Sequence, residues 1–333
     1  MKFSRGILGA AGAAAVVAAG AAVFAVSATG AAKEKWDMPM AYSASNFHSK
    51  NGAEFGKCVG TRTEGRLEIV THPSGSLFKG NDIKRAVQTG QALIGERLLS
   101  AHQNENALFG VDSIPFLATS FDDSEKLWAA ARPKIEEVLA EQNLVYLYAV
   151  PWPGQGLYFN KEVKSVADMK GLKFRSYNSA TARLAELAEM RPVQIEAAEL
   201  SQALATGVAE SFISSGATGY DRKVWEHLSH FYSVNAWLPR NTVFVNKQAW
   251  DGLDAKTQDA VRACAEKAAK DGLAASKAYN TFTVEGLAKG GMQVAPAGDT
   301  LRADLMEIGA TMSKEWLEKA GKSGAAVIES YKK

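Results

Sequence analysis

From Trp36 onward, short apolar runs suited to strands alternate with segments whose apolar residues recur at helical spacing, and this alternation leaves few architectures open. Residues 36–41 read as a strand, and 47–59 as a helix entered through Ser45 or Asn46. Leu67 and Ile69 alternate with polar neighbours up to Pro73. A helix with Ile83, Ala86 and Val87 on one face runs from Asn81 to Gly90, and 92–95 is the next short strand. After the breaker Pro151-Trp152-Pro153-Gly154 the rhythm resumes, with strands at 172–175, 193–195 and 210–214 and helices at 180–190 and 198–206. Residues 242–245 are a further strand, and Asp254 caps an Ala- and Lys-rich helix reaching about Gly286. A short strand at 292–295 and an amphipathic helix at 301–320 close the chain. Such alternation predicts an α/β fold of parallel sheets covered by helices.

The breaker at 151–154 and Leu238-Pro239 each separate one alternating block from the next. They are the candidate crossings between two lobes, and two crossings leave one lobe discontinuous. With 47% apolar and 22% charged residues the composition is that of an ordinary soluble globular protein, and 333 residues suffice for two lobes with their own cores.

The N-terminus sets the compartment. Lys2 and Arg5 form a basic start, 7–26 is an Ala/Val-rich stretch without charge, and Val26-Ser27-Ala28 offers small residues for cleavage. This predicts a secretory signal peptide over 1–28. The stretch is long enough for an uncleaved anchor, but Ala and Gly drive insertion weakly, which favours cleavage. The leader carries two of the 38 basic residues and none of the 36 acidic ones, so the mature chain is neutral. A basic field for nucleic acid or an anionic membrane is therefore absent.

Cys58 and Cys264 sit among apolar residues at helical spacing and read as small buried side chains. In an exported chain they can oxidise to one disulfide, although sequence does not say whether their separation is bridgeable. His227 and His230 are close enough on a helix to share a metal, but no third ligand has a distinctive spacing, and capping or surface placement is the simpler reading. Ser74-Gly75-Ser76 is not a nucleophile elbow, and neither a phosphate-binding glycine loop nor a paired-carboxylate motif occurs.

The stretch Asp168-Met-Lys-Gly-Leu-Lys-Phe-Arg175 ends a short apolar segment on a guanidinium where a strand would open into a cleft. A guanidinium holds a carboxylate bidentately in a fixed fork and keeps its charge on burial, which a lysine cannot reproduce. Composition alone reads Arg175 as a surface arginine paired with a nearby Glu. The stretch, however, resembles the strand that carries the substrate-anchoring arginine in the solute-binding proteins of TRAP transporters (tripartite ATP-independent periplasmic transporters, DctP-like family). The resemblance extends through Gly65-Arg66-Leu67-Glu68-Ile69, Arg85-Ala86-Val87-Gln88-Thr89-Gly90, residues 200–207 and Val245-Asn246-Lys247, in the family's order and spacing.

This resemblance implies an α/β, two-lobed periplasmic binding protein (type II-like) with a central ligand cleft and a long helix spanning both lobes. Lobe I would be 33–152 with 241–281, and lobe II 153–240 with 282–333. It also implies a receptor without catalysis or cofactor, which captures a small organic acid in the periplasm and delivers it to the membrane subunits of a TRAP permease. Arg175 is implied as the carboxylate anchor. Where many relatives place a second arginine this chain has Gln155, and where they often place an asparagine it has Ser214 or Ser215. A second carboxylate would lack its counter-charge, so a monocarboxylate fits better than a dicarboxylate. Glu96 stands at a position that faces the ligand in sialic-acid-binding relatives, where it would accept from an amine or hydroxyl; a salt bridge with Arg97 or Arg66 is the alternative. Trp152, Phe47, Tyr177 and Trp237 offer flat walls for an aromatic or branched acid, or else core and hinge packing. A secreted α/β hydrolase and an ABC-type binding protein are the alternative readings. The first needs a positioned nucleophile and base, and the second lacks the 168–175 pattern.

Overall fold

A computed structural model describes residues 33–333, and the expected signal peptide at 1–28 lies outside them. The first sheet starts with β1 (Glu34–Pro39), parallel to β2 (Leu67–His72), with Trp36 opposite Ile69. Their link is α1 (Phe47–Arg62), where the Asn46 side chain accepts the His48 N–H and so caps the helix. Phe55 and Val59 are buried on its inner face. A single 3-10 turn at Gly80–Asp82 leads into α2 (Ile83–Gln88), which buries Ile83, Ala86 and Val87 as its spacing requires. β3 (Ile94–Leu98) reaches further than the apolar run at 92–95, and every one of its residues is buried. Glu96 thereby lies inside the strand. α3 (Phe121–Glu141) is capped by Ser120 and leads to β4 (Leu144–Pro151). A parallel bridge between Met40 and Glu96 ties β1 to β3.

The chain then enters a second sheet through β5 (Gln155–Phe159). There follow β6 (Lys173–Ser176), α4 (Ser179–Leu187), β7 (Arg191–Gln194), α5 (Leu200–Ala205), β8 (Ser211–Ser215), α6 (Gly216–Asp221) and β9 (His230–Tyr232). β10 (Arg240–Asn246) returns to the first sheet, followed by α7 (Lys247–Asp251) and α8 (Ala255–Lys289). β11 (Gln293–Ala295) rejoins the second sheet, and α9 (Asp299–Lys332) ends the chain. The strand orders are β1-β2, which the Met40–Glu96 bridge joins to β3-β10-β4 to make the first layer, and β11-β9-β5-β8-β6-β7.

The six-stranded sheet is mixed and β3-β10-β4 is antiparallel throughout, which corrects the expectation of parallel sheets. β10 is antiparallel to β3 and β4, and β5 is antiparallel to β8 and β9. The reason lies in how the chain arrives. β5 and β10 are reached directly from the other sheet and not through a covering helix, so the parallel βαβ crossover does not constrain them. The two crossing segments lie side by side: the Trp152 N–H donates to the Pro239 carbonyl at 2.7 Å, and the Gln155 N–H to the Trp237 carbonyl at 3.0 Å.

α8 has 35 residues, so it extends roughly 50 Å. Its earlier turns pack on α1 and β4, where Asn51 donates to the Ala268 carbonyl, and its later turns pack on α6. Cys58 on α1 and Cys264 on α8 form a disulfide, with Cα atoms 5.8 Å apart. The two cysteines are thus not separate apolar side chains; the packing of the two helices brings positions 206 residues apart within bonding reach. The regular part of α9 stops at Gly321, whose φ of 56° is a left-handed value that glycine adopts without penalty. α9 is held from both sides, since Trp316 Nε1 donates to the Ala107 carbonyl while Glu315 binds Arg183 of α4 through both carboxylate oxygens. Behind β5 and β8, the stacked rings of Tyr158 and Phe212, 4.2 Å apart, anchor a second, smaller apolar core.

Candidate functional site

The C-terminal ends of β6, β7 and β8 and the first residue of β5 share one edge of the second sheet, where an α/β sheet offers its ligand crevice. Strand alternation sends Phe174 into the core and Arg175 to the opposite face. Arg175 is only 3% exposed. Its Nε donates to the Ile195 carbonyl at 2.9 Å, and its guanidinium lies 5.1 Å from the centre of the Tyr177 ring. Among the described residues, no carboxylate pairs with it and its terminal amino groups make no hydrogen bond. Burial, with lesser contributions from the Arg97 and Arg222 charges, brings its pKa down to about 10, which leaves it cationic at neutral pH.

A cavity opens in front of this guanidinium. Gln155, Tyr177, Ser214 and Trp152, all expected from the sequence, line it with Arg175. Gln155 is held in one orientation: Nε2 donates to the Pro153 carbonyl at 2.9 Å, and Oε1 accepts from the Tyr177 hydroxyl at 3.1 Å. That hydroxyl in turn accepts from Trp237 Nε1 at 3.0 Å. Burial pushes the Tyr177 pKa up, so the phenol stays neutral.

Four expected residues lie outside the lining. Trp237 acts through Tyr177 from behind. Phe47 stands edge-on to Trp152 with ring centres 5.3 Å apart and supports that wall. The Ser215 hydroxyl accepts from the Thr218 N–H at the start of α6, so of the two serines it is Ser214 that faces the cavity. Glu96 is buried, and Oε1 accepts from Asn241 Nδ2. It makes neither of the expected ion pairs: Arg97 Nη2 donates to Asn81 Oδ1 at 2.6 Å, and Arg66 pairs with Asp254 at 2.9 Å. Burial pushes the Glu96 carboxyl up to about 7.

The structure adds lining residues that the sequence reading missed, chiefly Tyr42, Arg97, Gln194, Glu196 and Thr218. Arg97 follows from period-two alternation once β3 is extended to Leu98, because its neighbour Glu96 points the other way. Gln194 and Glu196 follow from the pairing of β7 with β6, which sets their end of the chain beside Arg175. Glu196 bridges the two sheets: its carboxylate accepts from the Gly80 N–H at 2.9 Å and the Asn81 N–H at 3.1 Å. A Cβ on Gly80 would lie 2.7 Å from this carboxylate and 3.0 Å from Arg97 Nη1, so a larger residue there would push these two side-chain ends aside. Two further bonds cross between the sheets, from Asn178 Nδ2 to Ser100 Oγ at 3.0 Å and from Asn46 Nδ2 to Asp221 Oδ2 at 2.8 Å. With these in place the cavity is about 30 Å³. Residues of both sheets line it, so a solute held there touches both.

Two α/β layers joined by paired crossings, with an unmatched buried guanidinium between them, define a two-lobed solute receptor. The chain belongs to the family described as bacterial extracellular solute-binding protein, family 7 (DctP), which its residues 40–320 match. A solved TRAP solute-binding protein from an unidentified marine microbe, specific for pyroglutamate and holding the co-purified compound, is 57% identical. That match covers 90% of this chain and 99% of the other, with a TM-score of 0.89. An extracytoplasmic solute receptor of Bordetella pertussis that binds pyroglutamic acid is 46% identical over 90% of this chain and 99% of its own, also with a TM-score of 0.89. The monocarboxylate 2-oxoacid-binding periplasmic protein of Nostoc sp. is 25% identical over 84% of this chain and 78% of its own length. The chain is accordingly a periplasmic receptor of the TRAP type, a carrier of solute to a membrane permease and not an enzyme.

Proposed function

We propose that the cleft holds a compact organic acid with one carboxylate, pyroglutamate or a close analogue, clamped by Arg175. The observation that carries this reading is the buried guanidinium with its terminal amino groups unengaged, a state that a ligand carboxylate would complete with two parallel hydrogen bonds. The charge balance supports one carboxylate. Arg97 brings a second cation to the lining, but the Glu196 carboxylate shares its corner, and Gln155 is neutral. One cation is left in excess. Relatives of known ligand agree, since solved structures at 57%, 46% and 38% identity bind pyroglutamate or pyroglutamic acid.

In this reading 1–28 is removed on export, 33–152 with 241–281 forms one lobe, and 153–240 with 282–333 forms the other, with α9 resting on both. Arg175, Gln155, Tyr177 and Ser214 meet the ligand from the second sheet, and Trp152 closes the side. Glu96, Phe47, Ser215 and Trp237 support those walls. The closed form, with Glu196 seated on the Gly80 and Asn81 amides, is what the permease reads as loaded. Calorimetry against pyroglutamate and succinate tests the charge argument. Wild type should bind the monoacid more tightly, and Gln155→Arg should shift preference toward the diacid by supplying a counter-charge. A wild-type preference for succinate would refute it.

A further inference from the structure

We propose that Glu96 and Asn241 are positioning residues of the ligand site, forming with Trp152 a hydrogen-bonded relay that fixes the indole wall of the cavity. The inference rests on the carboxylate reading above and adds to it. Its logic is donor and acceptor identity. An indole Nε1–H only donates, and Trp152 Nε1 donates to Asn241 Oδ1 at 2.8 Å. The Asn241 amide must then turn its NH₂ the other way, where Glu96 Oε1 accepts it. Each group therefore sets the orientation of the next, from inside β3, across β10, to the cavity wall.

Everything around this line is closed off. Glu96 and Asn241 are 3% and 2% exposed. His48 of α1 packs against the indole at a tilt with ring centres 4.3 Å apart, and Tyr42 meets it edge-on at 4.8 Å, so the bond to Asn241 is the polar contact of a ring otherwise walled by aromatics. Glu96 Oε2 is buried without a partner, a poor setting for a full negative charge and a tolerable one for a protonated carboxyl. The groups facing Glu96 are Arg97 on its own strand, His48 on α1 with Nδ1 3.8 Å away, Tyr148 on β4 and Tyr42 after β1. Burial lowers the His48 pKa and raises those of both tyrosines, so all three are neutral near pH 7. Arg97 is the charged neighbour, and it faces the cavity.

The test is pyroglutamate affinity by calorimetry on full-length mature protein, with thermal melts to show folding. Asn241→Leu strands the indole N–H and should weaken binding roughly tenfold or more. Asn241→Asp keeps the acceptor for Trp152 but sets two carboxyls face to face. Its affinity should therefore fall at pH 8 and recover at pH 5.5, where the pair shares a proton and the ligand, an α-carboxylate of pKa near 3.5, is still ionised. Adding Glu96→Gln to Asn241→Asp supplies an amide donor and should restore binding at both pH values, a rescue that a merely structural role would not give. Arg175→Ala is measured alongside. If it loses pyroglutamate while the Asn241 variants bind as wild type, the relay is overturned and the carboxylate reading stands. If Arg175→Ala binds normally while Asn241→Leu does not, the carboxylate reading falls and the relay is supported.

Discussion

At the level of one residue, the proposed clamp turns on Arg175. A buried cation without a partner is unfavourable, and a ligand carboxylate would remove that cost at the moment of binding. Arg175→Ala should keep the fold and lose roughly 2–5 kcal/mol of pyroglutamate affinity by calorimetry, with Arg175→Lys recovering only part, because an ammonium cannot form the fork. Glu96 gives a second residue-scale prediction, about stability. Its folded pKa is raised from 4.5 to about 7. The folded state therefore binds its proton more tightly than the unfolded chain does, so this contribution to stability is full below pH 4.5 and is lost as pH rises through 7. Glu96→Gln removes that dependence, and its stability should gain on wild type between these pH values by up to roughly 3 kcal/mol in denaturant titrations. An unchanged difference across the window would show that Glu96 titrates normally. Arg175 was legible in the sequence because it ends a recognisable strand motif. Arg97 and Glu196 were not, since nothing local distinguishes them from solvated charges; only the extension of β3 and the meeting of two sheets brings them to the cavity.

The elements were readable wherever capping and periodicity agreed. α1 starts at Asn46, α8 at Asp254 and the second sheet after the proline-rich breaker, each as its local chemistry dictates. Strand direction was not readable, because β5 and β10 arrive by crossing between sheets and carry no sequence mark of being antiparallel. The pairing of α1 with α8 was equally hidden, and with it the disulfide. That bridge closes a loop of about 200 residues, so replacing both cysteines, Cys58→Ser with Cys264→Ser, should cost about 2–4 kcal/mol of stability. Because the bridge lies away from the cavity, pyroglutamate affinity should not change. A melt identical to wild type would mean that helix packing alone sets the α1 and α8 contact.

At the scale of the whole molecule, the bonds between the sheets describe a closed receptor. Glu196 on the Gly80 and Asn81 amides, Asn178 on Ser100 and Asn46 with Asp221 all bridge elements of different sheets, whereas the crossings beside Trp152 and Pro239 are short enough to act as hinges. A ligand drives closure only if it binds the closed form better than the open one. In the proposed clamp, Arg175 from the second sheet and Tyr42 and Arg97 from the first would give it that difference, because they line one cavity while the sheets are joined. The most direct measurement is solution scattering on wild type and Arg175→Ala, each with and without saturating pyroglutamate. Wild type should contract on adding the ligand, and Arg175→Ala should keep its ligand-free dimensions at the same concentration. Equal dimensions of wild type in both conditions, or the same contraction in Arg175→Ala, would contradict closure on a carboxylate held by this arginine.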